Sequence, residues 1–377
     1  MDQPATCYLG PERSGVSWLL DPESTELRDI AREATDRTPD SPCDPAPIAD
    51  DLPTLQALVE SRHFGAASGR SDTSGIGAVF AAWQDRVSRE CPTTWGQAIG
   101  DVQDALRELL VDNHVELVGS RPSRWRTPPP EGFAKRPAVE VDEHAGVLTV
   151  TIRRFMGDPV DERALAGLRE AADEHFAYDR IVVDLRDNTG GNDAHAYYWL
   201  VDRVRADCKD IEGWTGWQIG DVPYGNWNVA AWLEARDGLD AVPPLLLAGR
   251  HTPRPDDRLE IADGSMVIEA GAKPWPGRML VLVNKATMSS GESTAWGLKK
   301  TLGARLVGTP TNGCINYGNT VPYVLPRSRV VVRLTSKYND YGFPVELRGF
   351  PVDIDLDPAT PLPTVAADFD RIWARGD

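Results

Sequence analysis

The chain has 377 residues, long enough for two or three domains, and its hydrophobic fraction of 41% and charged fraction of 26% are those of a globular protein. Its 57 acidic and 40 basic residues give a net charge of -17, which argues against binding to nucleic acid or to an anionic membrane surface. We expect a cytoplasmic protein without metal or cofactor, because the sequence shows no apolar run of the ~18 to 20 residues that span a bilayer, no secretory signal and no C-x-x-C pair.

The first third of the chain is predicted to be helical. Residues 1–48 are rich in Pro, Asp and Ser and form an extension of unknown role. Apolar residues then recur at three- and four-residue spacing, which predicts a helical domain over residues 49–119. Three consecutive prolines interrupt the following stretch, so residues 120–140 are predicted to be a linker.

Strands and helices alternate over residues 141–365, which predicts an α/β domain with a largely parallel sheet. The strands are expected at 146–155, 180–188, 277–284, 304–310 and 330–336. Residues 207–276 interrupt the alternation with an insertion rich in Trp, Gly and Asn. Such an insertion is typical of an ordered active-site cover, although a plain surface excursion fits it as well.

The stretch NKATMSSGESTAWGLKK, residues 284–300, carries the first candidate site. A strand leads into Ser289 and then into a helix, so this serine is expected at an exposed turn, where it can attack a carbonyl while the N–H of Ser290 holds the oxyanion. The same residues form S-x-x-E, a capping box in which Ser289 and Glu292 merely start the helix. A G-x-S-x-G elbow is absent, which disfavours an α/β-hydrolase.

The stretch VVDLRDNTGGND, residues 182–193, carries the second. Asn188, Gly190 and Gly191 follow a predicted strand, where open α/β sheets bind ligands and where glycines let the backbone approach them. A tight turn explains the same residues. The glycine patterns of dinucleotide and phosphate loops are absent.

His114, in LLVDNHVELVG, follows an amphipathic helix. A lone histidine is usually structural, and the other five histidines show no metal-binding spacing. By itself His114 is weak evidence for a site.

Taken together, these stretches resemble peptidase family S41, which contains the tail-specific and tricorn-core proteases and retinoid-binding relatives. The resemblance runs from about residue 50 to 360, and its combination of motifs is more specific than any one of them. The matching residues are Asp184, Arg186, Asn188, Gly190 and Gly191 for D-x-R-x-N-x-G-G, Ser289 and Glu292 for S-x-x-E, Leu306, Val307, Gly308, Thr311 and Gly313 for L-V-G-x-x-T-x-G, and Leu110, Asp112 and His114 for L-x-D-x-H.

The resemblance points to the tricorn-like and retinoid-binding-protein-like branch. Tail-specific proteases use a lysine just after the T-x-G turn, where this chain has Cys314, and they carry a PDZ domain for which the chain has too few residues before the sheet. The tricorn-like arrangement implies Ser289 as nucleophile, His114 as general base and Glu346 as the residue that orients the histidine. The oxyanion donors would be the N–H groups of Ser290 and of Gly190 or Gly191.

The implied fold is a ClpP/crotonase-like α/β core with flanking helices, preceded by a small helical domain. The residues expected to contact a substrate are Asn188, Tyr317, Asn319 and Trp227. The partner would be a peptide or peptide-like substrate, and homo-oligomers are common in the family. Three functions stay open: peptide hydrolysis through an acyl-enzyme, transfer of the acyl group to an amine by a cyclase or ligase, and non-catalytic binding of an apolar ligand.

Overall fold

The computed structural model describes residues 38–120, 127, 130–155, 159–206, 213–217, 263–265, 268–325 and 327–376. Within these ranges, no helix is long and apolar enough to cross a membrane. The chain divides into two compact units. The first draws on Met1–Arg124, Thr215–Asp263 and Tyr317–Tyr338, and the second on Trp125–Trp214, Gly264–Asn316 and Asn339–Asp377.

The strands in the described ranges are β1 (Glu116–Leu117), β2 (Val139–His144), β3 (Val147–Ile152), β4 (Arg180–Asp184), β5 (Gly213–Trp217), β6 (Asp263–Ser265), β7 (Arg278–Val283), β8 (Arg305–Gly308), β9 (Tyr317–Val324), β10 (Val331–Asp340) and β11 (Ile354–Asp355). The α-helices are α1 (Ala46–Arg62), α2 (Phe64–Ala67), α3 (Ile76–Glu90), α4 (Trp95–Leu110), α5 (Pro159–Glu170), α6 (Ala172–His175), α7 (Ala194–Leu200), α8 (Ser290–Leu302), α9 (Leu362–Ala367) and α10 (Phe369–Trp373).

The second unit is built on a six-stranded sheet with the strand order β11-β8-β7-β4-β3-β2. Neighbouring strands are parallel except for β2, which runs antiparallel to β3. The register places Val182 opposite Leu280, and Leu282 opposite Val307. The alternation of strands and helices in the sequence predicted such a sheet, and the α/β class is confirmed.

Helices cover both faces of this sheet, which explains why its strands are nearly continuous apolar runs. Along β4, Ile181 and Val183 pack in a core cluster with residues of α5, α7 and α8. Val182 points to the other face and packs with residues of α9 and α10. Because β4, β7 and β8 are parallel neighbours, the loops that follow their carboxyl ends lie at one edge of the sheet, where α/β proteins bind ligands.

The first unit packs α1, α3 and α4 against antiparallel strands. β10 pairs with β1 and with β9, and the strand order continues from β10 through β5 to β6. Tyr323, Val332 and Leu334 of this sheet share a core cluster with Leu58 and Leu106 of the helices. The sequence predicted only helices for this region, because the strands that complete it come from far along the chain.

The domain limits proposed from the sequence remain a prediction. The two compact units are divided differently: among the described residues, 317–338 belong to the unit that contains the helices, and 130–140 belong to the unit with the parallel sheet. Most of the 207–276 insertion lies outside the described residues.

Candidate active site

Ser289 occupies the turn between β7 and α8. Its backbone has φ +52° and ψ -122°, a combination that residues other than glycine rarely adopt. Two hydrogen bonds fix the turn: the N–H of Met288 donates to the Asn188 carbonyl at 2.9 Å, and the Thr287 hydroxyl donates to the Leu185 carbonyl at 2.7 Å. Backbone strain that the surroundings enforce is typical of functional sites.

Glu292 lies fully buried under the first turn of α8. Its Oε2 accepts the N–H of Ser289 at 3.1 Å, as the capping box predicts, and the N–H of Cys314 at 2.8 Å. Its Oε1 accepts the hydroxyl of Thr311 at 2.5 Å and the N–H of Gly313 at 2.8 Å. Burial raises the pKa of Glu292, while the four donors oppose that rise. The carboxylate therefore ties the turn at Ser289 to the loop that follows β8.

In the loop that follows β8, the two residues after Cys314 bind Glu346. The N–H groups of Ile315 and Asn316 both donate to Glu346 Oε2 at 2.9 Å. In return, Asn316 Oδ1 accepts the N–H of Val345 at 2.9 Å and that of Glu346 at 2.6 Å. Four consecutive N–H groups, from 313 to 316, are thus shared between two buried carboxylates, which hold the loop in place.

Gly313 allows this loop to lie against the chain near Glu346. Its φ is +79°, and a Cβ at this position would lie 2.5 Å from the Arg348 nitrogen and 2.6 Å from the Val345 oxygen. Its carbonyl accepts the N–H of Leu347 at 2.7 Å. Only glycine fits both the backbone angle and the space.

Asn188 was predicted to contact a substrate, and the structure gives it another role. The residue is fully buried, its Nδ2 donates to the Ile152 carbonyl at 2.7 Å, and its Oδ1 accepts the N–H of Gly190 at 2.8 Å. Asn188 therefore holds the glycine turn together from inside and exposes no atom to a ligand. The turn brings Gly190, with φ +86°, so close to Ser289 that an added Cβ would lie 2.8 Å from the serine Cβ.

Ser290 and Gly191 lie side by side at the same corner. The Ser290 hydroxyl donates to the Gly191 carbonyl at 2.7 Å. Across the part of the chain that the structure describes, neither the N–H of Ser290 nor that of Gly191 has an acceptor. The N–H of Gly190 differs, because it already donates to Asn188.

His114 lies in the first unit, on the loop between α4 and β1. Val111, with φ +52°, ends α4 and turns the chain. The N–H of His114 donates to Asp112 Oδ1 at 2.7 Å, and its Nδ1 lies 3.8 Å from the same oxygen. The side chain of His114 is 11% exposed.

Asp112 is fully buried, and its second oxygen accepts hydrogen bonds from His63 Nε2 at 2.9 Å and from the Thr335 hydroxyl at 2.6 Å. Because His63 Nδ1 accepts the N–H of Ala66 at 3.1 Å, the proton of this imidazole is placed on Nε2. Burial acts to raise the pKa of Asp112, but the hydrogen bonds from His63 and Thr335 and the nearby His114 outweigh it, so this pKa lies below its usual range.

The other residues predicted to contact a substrate are Tyr317, Asn319 and Trp227. Tyr317 is 5% exposed, its ring lies 5.3 Å from that of His63, and its hydroxyl is 3.1 Å from Ser71 Oγ, so it supports the first unit. Asn319 is in β9, but its side chain lies outside the described residues, as does the whole of Trp227.

The interpretation of the sequence gave no role to Asp112 or His63. Asp112 stood within the L-x-D-x-H pattern, which was a usable signal. His63 carried none, because it is 49 residues away from its partner in the chain.

Comparison with known proteins supports the resemblance seen in the sequence. Residues 243–355 match the model of Peptidase family S41. No curated protein sequence is significantly similar to the chain.

Solved structures share the fold. A structure of mature CPAF is 11% identical, with a TM-score of 0.55, and covers 92% of this chain and 96% of its own. Mature CPAF complexed with lactacystin is 12% identical, with a TM-score of 0.54, over 93% of this chain and 98% of its own. A candidate peptidase from Parabacteroides merdae is 13% identical, with a TM-score of 0.53, over 82% and 90%. Residues 243–355 are thus similar to peptidase family S41, and the chain shares its fold with mature CPAF.

Proposed function

We propose that this chain hydrolyses peptide bonds through an acyl-enzyme, with Ser289 as the nucleophile, His114 as the general base and Glu346 as the residue that orients His114. The observation that carries the proposal is the corner at Ser289. A serine with strained backbone stands there beside two N–H groups, of Ser290 and Gly191, that have no acceptor among the described residues. Such a corner combines a nucleophile with a site for an oxyanion.

Each residue has a defined part in the proposed reaction. Ser289 Oγ attacks the peptide carbonyl carbon while His114 takes the hydroxyl proton, and the carbonyl oxygen becomes an oxyanion. The tetrahedral intermediate collapses when the C–N bond breaks and His114 returns the proton to the leaving amine. Water then attacks the ester carbon in the same way and releases the acid, so that Ser289 regains its proton.

The oxyanion donors proposed here are the N–H groups of Ser290 and Gly191. The sequence left the choice between Gly190 and Gly191 open. The N–H of Gly190 already donates to Asn188 Oδ1 at 2.8 Å, which supports Gly191 as the donor. The positive end of α8 adds to the stabilisation of negative charge at this corner.

The assignment of His114 and Glu346 rests on the family resemblance, and the surroundings of Glu346 support its part. A carboxylate that accepts two backbone N–H groups is held in one position, as the orienting member of a triad must be.

The test is intact-mass analysis after reaction with a fluorophosphonate, together with peptide-cleavage assays. We expect a single adduct on the wild type that is absent from Ser289→Ala, and a loss of kcat on the order of 10⁶-fold in that variant. His114→Gln and Glu346→Gln should slow both labelling and cleavage.

Ser293→Ala is the matched control, because Ser293 is also on α8 but its hydroxyl donates to Asp193 at 2.5 Å. This variant should label like the wild type. Unlabelled wild-type protein that is folded, or a Ser289→Ala variant that still cleaves peptides, would refute the proposal. Mass analysis of the products shows whether water or an amine accepts the acyl group.

A further inference from the structure

We propose that Asp112 is a positioning residue for His114, held in that role by His63 and Thr335. The inference rests on the proposed function, in which His114 is the general base. It adds a second carboxylate to the one implied by the family resemblance, and this one lies in the same unit as the histidine.

Asp112 holds His114 at two points. The bond from the His114 N–H to Asp112 Oδ1, at 2.7 Å, fixes the backbone of the histidine. The same oxygen lies 3.8 Å from His114 Nδ1, so its negative charge favours a proton on Nδ1 over one on Nε2. A neutral histidine with its proton on Nδ1 presents an unprotonated Nε2, which is the form that accepts a proton from serine.

The surroundings keep Asp112 ionised. Its carboxylate accepts three hydrogen bonds, from His63 Nε2, from the Thr335 hydroxyl and from the N–H of His114. The bond from His63 runs in one direction only, because Nδ1 of that ring is occupied as the acceptor of the Ala66 N–H. A protonated Asp112 could place its O–H only on the Thr335 hydroxyl, because the other two partners, the Nε2–H of His63 and the backbone N–H of His114, are donors.

Leu110, the last residue of α4, is held by Ser71, which belongs to the same group of side chains as Tyr317 and His63. Ser71 Oγ donates to the carbonyl of Leu110 at 2.9 Å and lies 3.1 Å from the Tyr317 hydroxyl. The ring of Tyr317 packs against that of His63. The chain from Leu110 to His114 is therefore fixed at Leu110 and again at Asp112, and rigid support of this kind is what a precisely placed base requires.

If Asp112 only stabilised the end of α4, its replacement would leave the position of the proton on the His114 ring unchanged. The proton position therefore separates a structural role of Asp112 from the proposed positioning role. The test is ¹⁵N NMR of the histidine rings, with the His114 signals assigned by their absence in His114→Gln. The spectra are recorded at a pH at which the imidazole is neutral. Asp112→Asn replaces one carboxylate oxygen with an amide N–H₂, which would face groups that donate to Asp112 in the wild type.

We expect a wild-type ring that carries its proton mainly on Nδ1. In Asp112→Asn, the ratio of the Nδ1–H to the Nε2–H form should fall about tenfold, and kcat should fall about 10- to 100-fold with a much smaller change in KM. Thr335→Val, which removes one of the three donors and conserves shape, should shift both quantities in the same direction by less. Thr149→Val is the control, because Thr149 is equally buried but donates to the Asp142 carbonyl.

An unchanged tautomer ratio in folded Asp112→Asn overturns the inference, and so does an unchanged ratio in Thr335→Val if Asp112→Asn does not fold. A changed ratio with unchanged kcat has a different meaning. It supports the control of the ring by Asp112 and removes His114 from the proposed reaction, so the two failures are distinguishable.

Discussion

At the scale of single residues, Glu292 decides how firmly Ser289, the proposed nucleophile, is placed. In the wild type, the N–H groups of Ser289 and Cys314 donate to the Glu292 carboxylate. Glu292→Gln keeps the shape of the side chain but places an amide N–H₂ opposite these two donors. The N–H of Cys314 would lose its acceptor, whereas the N–H of Ser289 would keep the Cys314 carbonyl at 3.1 Å, so we expect Glu292→Gln to lower the free energy of unfolding by about 1–3 kcal/mol. We also expect fluorophosphonate labelling to slow by about 100-fold, because small displacements of a nucleophile are costly.

The same variant should change how stability depends on pH. The folded-state pKa of Glu292 is raised by burial above its ordinary value of 4.5. Between 4.5 and the folded-state pKa, the folded protein holds a proton that the unfolded chain has released, so this group makes the wild type less stable as the pH rises through that window.

Glu292→Gln cannot titrate, and the stability difference between wild type and variant should therefore shrink as the pH rises above 4.5. Urea unfolding at a series of pH values measures this difference. Glu170→Gln, at an exposed position of α5, is the control and should stay within about 0.5 kcal/mol of the wild type. If the stability difference grows with pH over that window, the pKa of Glu292 is not raised in the folded state and the prediction is wrong.

At the scale of elements, the loop after β8 connects the turn at Ser289 to Glu346. Its N–H groups from 313 to 316 bind both buried carboxylates, and Gly313 sets its path. In Gly313→Ala the backbone would remain at φ +79° with a Cβ 2.5 Å from a backbone nitrogen. We expect a loss of about 2–4 kcal/mol in the free energy of unfolding, from the left-handed conformation and the overlap together, and labelling at least tenfold slower.

The matched control for that variant is Gly167→Ala in the middle of α5. A Cβ there would meet no atom within 4 Å apart from the backbone of its own helix and its chain neighbours, so alanine should stabilise the protein by about 0.5–1 kcal/mol through its higher helix propensity. Urea unfolding and labelling rates are measured on both variants. Gly313→Ala with wild-type stability and labelling would show that the loop does not control the site.

The elements also show how far sequence reasoning reaches. β3, β4 and β7 were predictable because each is a short segment rich in Val, Ile and Leu, and the strand–turn–helix unit at Ser289 was predictable from its S-x-x-E cap. β9 was not predicted, although it completes the first unit. Its partners are far away in the chain, so no local periodicity reveals which unit it joins.

The same reason explains what the sequence revealed of the site. Ser289 and the glycines lie on short motifs whose residue types and spacing are local, and they could be named. The acceptors of the N–H groups at 313 to 316 depend on which loops meet at the edge of the sheet. The partner of Asp112 is His63, which lies between α1 and α2 and is 49 residues away in the chain. Contacts of this kind follow from tertiary structure and leave no pattern in a single sequence.

At the scale of the whole molecule, the charge of -17 should weaken the folded state at low ionic strength. Like charges repel more strongly in the compact chain than in the unfolded one, and salt screens this repulsion over a Debye length that falls from about 30 Å at 0.01 M to about 8 Å at 0.15 M. We therefore expect the Tm to rise by about 2–5 °C between these two NaCl concentrations at neutral pH.

The control uses the protein itself at a pH near its isoelectric point of 4.8, where the net charge vanishes and the rise should disappear. A Tm that falls with added salt at neutral pH would contradict the prediction. It would mean that attractive pairs, such as Arg89 with Asp85 at 2.6 Å and Arg278 with Asp370 at 2.7 Å, outweigh the repulsion. Exposed pairs contribute at most about 1 kcal/mol each, which is why we expect the net charge to dominate.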